Sequence, residues 1–266
     1  MAQPPPIPDH ELIRKIGEGG YGDVWIARNV MGVHRAVKIV YRERFRDERP
    51  FEREYEGIRK FEPISRSHPS QLNILHVGRA EQCFYYVMEL GDCLHSGVDI
   101  DPDTYEPRTL QSIIEGNTPP SSEWIMETIS GLATALGHLH AAGLIHRDVK
   151  PSNVIFVHGV PKLADIGLVT DIGSERSFVG TEGYLPPEGP GEPSGDLYGL
   201  GKVLYELITG LNRSEFPSLP DSLYSRSDRA ALFELNQVVL KACAPAPAER
   251  YANAKALLKD LLIVRS

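Results

Sequence analysis

One short stretch constrains this chain more than any other. His146-Arg147-Asp148-Val149-Lys150-Pro151-Ser152-Asn153 puts a carboxylate, an ammonium and a carboxamide into a single loop. A second carboxylate follows at Asp165, in Ala164-Asp165-Ile166-Gly167. Those groups suit proton handling, charge neutralisation and coordination of a hard cation. The chain before the loop says how it is held. Ser121 or Ser122 can cap a helix running to about Ala142, and Ile125, Ile129, Leu132, Leu136 and Leu139 recur at steps of four and three along it. Gly143 stops that helix and the loop follows directly. His138 and His140 lie two apart and point to different faces, which disfavours a shared metal.

Further upstream, Leu12–Ile16 and Gly22–Arg28 read as strands. The glycine-rich run Gly17-Glu18-Gly19-Gly20-Tyr21-Gly22 therefore joins strand to strand. A dinucleotide fingerprint would join strand to helix. A hairpin of this kind fits a flap over phosphate groups, because small residues let backbone N–H groups approach the oxygens. Arg35–Tyr41 reads as a third strand, with Val37, Ile39 and Tyr41 on one face and Ala36, Lys38 and Val40 on the other. A lysine on an apolar inner face needs a partner. Phe51–Phe61 has helical spacing of its apolar residues, with Glu52, Glu54 and Glu56 competing as the acid. Phe84–Leu90 reads as the last strand of this half.

The order and spacing of these pieces resemble the eukaryotic-type serine/threonine protein kinase family, from about Leu12 to about Leu262. The resemblance implies an α+β, bilobal fold. A small lobe of antiparallel sheet plus one helix would span about 10–88, a hinge and insert about 89–108, and a larger, mainly helical lobe about 109–264. It implies ATP and Mg2+ as cofactors. Asp148 would orient the attacking hydroxyl, Lys150 would neutralise the γ-phosphate, and Asn153 and Asp165 would hold the metal. Lys38 would grip the α and β phosphates and pair with Glu54, chosen over Glu52 and Glu56 on the family's register. Gly17, Glu18, Gly19, Gly20, Tyr21 and Gly22 would cover the phosphates. Val24, Ala36, the gatekeeper Met88 and the backbones of Glu89 and Gly91 would hold the base.

Lys150 and Gly180-Thr181-Glu182-Gly183-Tyr184 match serine/threonine members, in which the threonine bonds the catalytic aspartate and lysine. Two positions depart from the family pattern. Ile166 replaces the aromatic residue of D-F-G, and Pro186-Pro187-Glu188 stands for A-P-E, with Arg250 as the expected partner of Glu188. Arg147 before Asp148 implies an activation-loop phosphate, for which Ser177 is chosen over Thr170 and Ser174. Asp196 opens a helix similar to the family's buried central one and is expected to bond the catalytic loop. Leu163–Leu168 and Gly183–Glu188 look similar to bacterial members.

Composition sets the outer limits. The chain has 266 residues, 41% hydrophobic and 24% charged, enough for a sizeable core. A net charge of −8 argues against nonspecific nucleic-acid binding. The three cysteines have no metal-ligand spacing and read as reduced thiols. No apolar run spans a bilayer, and residues 1–9 read as a flexible leader without signal-peptide features. The expected partners are ATP and a protein bearing serine or threonine. The expected setting is the cytoplasm, either for this chain or as the cytoplasmic domain of a longer protein. The insert from Gly91 to Arg108, with Asp99, Asp101, Asp103 and Glu106, reads as a solvated acidic loop; a docking loop for basic peptides is its alternative. The rival to the enzyme is a pseudokinase, a nucleotide-binding or scaffolding module. A small-molecule phosphotransferase is disfavoured by the full segment Gly180–Glu188.

Overall fold

The architecture was obtained as a computed structural model and describes residues 4–116, 118–166, 170–171 and 180–264. The first half builds one antiparallel sheet. Its strands are β1 (His10–Glu18), β2 (Gly22–Asn29), β3 (His34–Tyr41), β4 (Ile74–Arg79) and β5 (Cys83–Met88), in the order β1-β2-β3-β5-β4. Helix α1 (Glu48–Phe61) lies between β3 and β4 in sequence. Both faces of the sheet are covered. Val37 and Ile39 join Ala27, Tyr85 and Val87 in an outer cluster, while Ala36 and Val40 face the main core with Phe51 and Ile58 of α1. The period of two in Arg35–Tyr41 is thus realised as two apolar layers, with Lys38 on the inner one.

The second half is mainly helical: α2 (Leu110–Ile114), α3 (Ser122–Ala141), α4 (Pro193–Thr209), α5 (Arg229–Ala242) and α6 (Ala254–Val264). Ser121 caps α3 through a 3.3 Å bond from Trp124 N, and the stripe Ile125, Ile129, Leu132, Leu136 and Leu139 is buried. Short strands β6 (Leu144–Ile145), β7 (Val154–Val157), β8 (Val160–Leu163) and β9 (Thr170–Asp171) form two hairpin-like pairs, β6 with β9 and β7 with β8. They grip the two ends of the loop at 146–153. No helix among the described residues is long and apolar enough to cross a membrane.

Two expectations need correction. The leader ends earlier than residue 9. Ile7 is only 4% exposed in the outer cluster of the sheet, and Asp9 O accepts from Val30 N at 3.1 Å. An apolar side chain among prolines and polar residues takes the one sheet face within reach. The insert is a structured loop with a solvated rim. Asp99, Asp101, Asp103 and Glu106 are exposed, but Asp92, Cys93 and Tyr105 are buried. Asp92 accepts the N–H groups of His158 and Gly159, both at 2.8 Å, at the β7–β8 turn. Arg14 of β1 donates to the carbonyls of Pro102 and Tyr105 at 2.8 and 2.6 Å. The loop is therefore tied to both halves of the molecule.

Candidate active site

Between the halves lies a cavity of about 450 Å3. Gly17, Glu18, Gly19, Gly22, Val24, Ala36 and Lys38 line it from the sheet, Met88, Glu89 and Gly91 from the hinge, and Asn153 and Asp165 from below. Of the residues expected here, Gly20 and Tyr21 are outside the lining. They occupy the tip of the β1–β2 turn, where Tyr21 stacks on Phe45. Ser177 lies outside the described residues.

The loop at 146–153 is held by groups far away in sequence. Asp196, in the first turn of α4, accepts the N–H groups of His146 and Arg147 at 2.8 and 2.7 Å. Arg147 sits at φ 71°, a conformation disfavoured for a side-chain-bearing residue, and this double bond helps hold it there. His140 Nε2 adds a third contact to Asp196 at 2.8 Å. The sequence reading missed this role for His140; its place in the last turn of α3, six residues before His146, was the available signal. Burial opposes the charge of Asp196, yet the His140 hydrogen bond and the neighbouring ring and N–H groups of His146 win and hold its pKa below the ordinary carboxylate value. His146 is 1% exposed. Its Nε2 lies 3.1 Å from Ala164 O and Asp148 N donates to its Nδ1 at 3.4 Å, so the ring packs against and braces the loop.

Asp148 is surrounded by donors. Thr181 N and Oγ1 reach its Oδ1 at 3.1 and 2.8 Å, and Asn153 Nδ2 and Lys150 Nζ reach Oδ2, both at 2.8 Å. Lys150 Nζ also donates to Thr181 Oγ1 at 2.7 Å. The threonine hydroxyl therefore links the carboxylate to the ammonium. Asn153 spends its amide hydrogens on Asp148 O and Oδ2, at 2.9 and 2.8 Å, so its carbonyl oxygen is the group left to offer a cation. Asp165, at φ 54°, brings a carboxylate to the same cavity. Two oxygen donors beside a space for phosphate fit a hard divalent cation, which would complete its shell with phosphate oxygens and water. Ile166, the departure next to Asp165, is 2% exposed in the main core and supplies the apolar bulk expected of it.

Lys38 differs from expectation. Its Nζ is 2.7 Å from Asp165 Oδ1, and the expected ion pair with Glu54 is not made. Burial works against the lysine charge, but Asp165, Tyr86 and Glu54 outweigh it and hold its pKa well above the usual value. The Lys38 ammonium in turn holds Asp165 below the carboxylate range. Glu54 stands on the buried face of α1, only 6% exposed, and burial lifts its pKa to about 7. A half-protonated acid is the weaker competitor for one ammonium. Tyr86 pairs with Lys38 across β3 and β5 and shares the inner layer; the alternation of β5 was the signal that could have found it.

The raised pKa of Glu54 has a consequence for stability. Its folded value of about 7 lies above the unfolded 4.5, so its contribution is fully present below 4.5 and is lost as pH rises through 7. Glu54→Gln removes the charge that burial penalises. In urea unfolding at pH 8 we expect it to be more stable than the wild type by on the order of 3 kcal/mol, falling to little or no gain at pH 4.5. An equal effect at both pH values would show that Glu54 does not titrate there.

The hinge holds another correction. Only the backbone of Glu89 was expected to matter, but its carboxylate accepts Lys162 Nζ at 2.6 Å, Asn73 N at 3.1 Å and Asn73 Nδ2 at 2.8 Å. It ties the last strand of the sheet to β8. Tyr105, from the insert, also lines the cavity and donates its hydroxyl to Gly91 O at 3.1 Å. At the far side, Arg250 is fully covered and binds Glu188 through both ends of its guanidinium, with Nη2 3.0 Å from Oε2. Glu188 itself is half-buried, so the pair is less enclosed than expected.

Comparison with known proteins agrees with this geometry. A family model described as a protein kinase domain matches residues 10–266. Among curated relatives, the serine/threonine-protein kinase PknB of Mycobacterium leprae is 31% identical over 301 aligned residues, covering 100% of this chain and 44% of that protein. PknB of Mycolicibacterium smegmatis is 32% identical over 300, covering 99% and 44%. The serine/threonine-protein kinase PrkC of Bacillus subtilis is 27% identical over 278, covering 95% and 40%. The chain spans less than half the length of these relatives.

Proposed function

This chain belongs to the protein kinase domain family, and from that premise we propose that it transfers the γ-phosphate of ATP to serine and threonine hydroxyls of proteins. The observation that carries the reading is the joined set Asp148, Lys150, Asn153 and Thr181 beside a cavity that also holds Lys38 and Asp165. ATP enters with its base against Val24, Ala36, Met88 and the Glu89 and Gly91 backbones. Its phosphates point toward Lys38 and the turn Gly17–Gly22. Asn153 and Asp165 would hold the metal, Mg2+ in this reading, which would supply charge neutralisation across the phosphates. Asp148 orients the substrate hydroxyl and takes its proton as the new P–O bond forms. Lys150 offsets charge on the transferred group while the bond to the leaving ADP oxygen breaks. Thr181 fixes both residues. Since ATP is the donor, the domain works on the cytoplasmic side.

We also assign Ser177 as the activating phosphosite. The assignment rests on the sequence: Arg147 precedes Asp148, the pairing that in this family calls for an activation-loop phosphate, and Ser177 lies three residues before Gly180. The test is incubation with γ-labelled ATP and Mg2+, a basic protein as acceptor, phosphoamino-acid analysis and phosphosite mapping. Label on serine or threonine, with Ser177 among the sites and slower transfer by Ser177→Ala, is the expected result. Label on neither the chain nor the acceptor, even after Ser177 is phosphorylated by another kinase, overturns the enzyme reading. Label that leaves Ser177 unmodified overturns only its assignment.

A further inference from the structure

The β1–β2 turn over the cavity is built largely of glycine, and glycine brings no side chain to set its height. Something else in the fold has to do so. The short connection between β3 and α1 supplies it. Arg44 Nη1 donates to Gly19 O at 3.1 Å, and Arg44 Nη2 donates to both carboxylate oxygens of Asp23 at 3.0 Å. Gly19 precedes the tip of the turn and Asp23 follows it. One guanidinium therefore closes both flanks of the glycine turn, and its planar fork suits that task. Asp23 is 7% exposed and the Arg44 side chain 26%, so the carboxylate is shielded while the guanidinium keeps some solvent.

The tip is held separately. The Tyr21 ring stacks on Phe45 with centroids 4.4 Å apart and planes 15° from parallel. Tyr21 O accepts Tyr41 N at 3.0 Å, and Gly19 N donates across the turn to Gly22 O at 2.8 Å. The N–H groups of Gly20 and Tyr21 take no backbone partner among the described residues. Phe45, 7% exposed, also meets the edge of Phe51 in α1 at 5.5 Å, and Phe51 packs on Phe84 of β5 at 5.2 Å. The turn is thus connected through Phe45 to the helix that carries Glu54.

We propose that Arg44 and Phe45 are positioning residues for the phosphate end of the nucleotide. They hold the glycine turn at the height at which its backbone meets the phosphates, and they couple that height to α1. The inference rests on the cavity being an ATP site, as proposed above. It makes a distinction that a general packing role does not: among the described residues, Arg44 makes no hydrogen bond to Val24, Ala36, Met88 or the hinge, which face the base, so ligands with phosphates should sense the clamp most.

Calorimetric titration of the wild type, Arg44→Ala, Arg44→Lys and Phe45→Leu with Mg2+·ATP and with adenosine tests this. For Arg44→Ala we expect ATP to bind ~10-fold more weakly, the size of a lost charge-assisted pairing. Adenosine should stay within about twofold. Arg44→Lys should recover part of the ATP loss, because an ammonium reaches Asp23 without the fork needed to hold Gly19 as well. Phe45→Leu should show the same split with smaller size. Equal losses for ATP and adenosine, or no loss of ATP binding in any variant, overturn the proposal. If Arg44→Ala does not fold, the two milder variants carry the same comparison. A wild type that binds adenosine and ATP equally, or neither, overturns the ATP reading itself.

Discussion

Asp148→Asn is expected to lower phosphoryl transfer by about 10^3-fold while leaving ATP affinity within a few-fold of the wild type. The asparagine keeps the shape and one acceptor oxygen, which can still take the two Thr181 donors that Oδ1 accepts. It loses the negative charge that orients and receives the hydroxyl proton, and its amide group at the Oδ2 position would face both Asn153 Nδ2 and Lys150 Nζ, donor against donor. Asp148, Lys150 and Thr181 do not line the cavity, and Asn153 borders it at the end where Asp165 stands, away from the residues assigned to the base. Single-turnover transfer and equilibrium ATP binding, measured on one preparation, separate the two effects. Full transfer by this variant would remove Asp148 from its assigned role, whereas parallel loss of transfer and binding would mark it as a general support of the site.

The second large effect is on folding. Asp196→Ala is expected to destabilise the protein by about 3–5 kcal/mol, because it strips the acceptor from three buried donors at once. The N–H groups of His146 and Arg147 have no water to turn to, and Arg147 would be left in its positive-φ conformation without its brace. Denaturant unfolding gives the number, and a loss under about 1 kcal/mol would show that the loop is held by other means. The same carboxylate predicts acid sensitivity. Its folded pKa is depressed, so its contribution is present above the unfolded value near 3.8 and is lost as pH falls through the folded one.

Much of this site could be read before any coordinates. The groups at 146–153 and at Asp165 announce themselves by type and spacing, and the two strands flanking Gly17–Gly22 decide what the glycines are for. Strand alternation put Lys38 on the inner face; helical spacing left Glu52, Glu54 and Glu56 open, and Glu54, chosen only from the family resemblance, is the one buried in α1. The misses have a common character. The Glu89 carboxylate reaches a lysine 73 residues away, and Tyr105 enters the cavity from a loop whose visible feature was its acidic rim. Nothing near Arg44 in the chain suggests that it closes the glycine turn, 25 residues earlier.

What the sequence determined by itself was the inventory and order of reactive groups, the strand or helix carrying each, and the face on which each stands. These follow from steric and hydrophobic preferences that act between residues one to four positions apart. Only the tertiary structure decided which acid Lys38 takes. Lys38 binds Asp165, 127 residues on, in preference to Glu54 on the next helix. That outcome depends on distance and on the ionisation that burial allows, and both are set by how the whole chain packs around the pair.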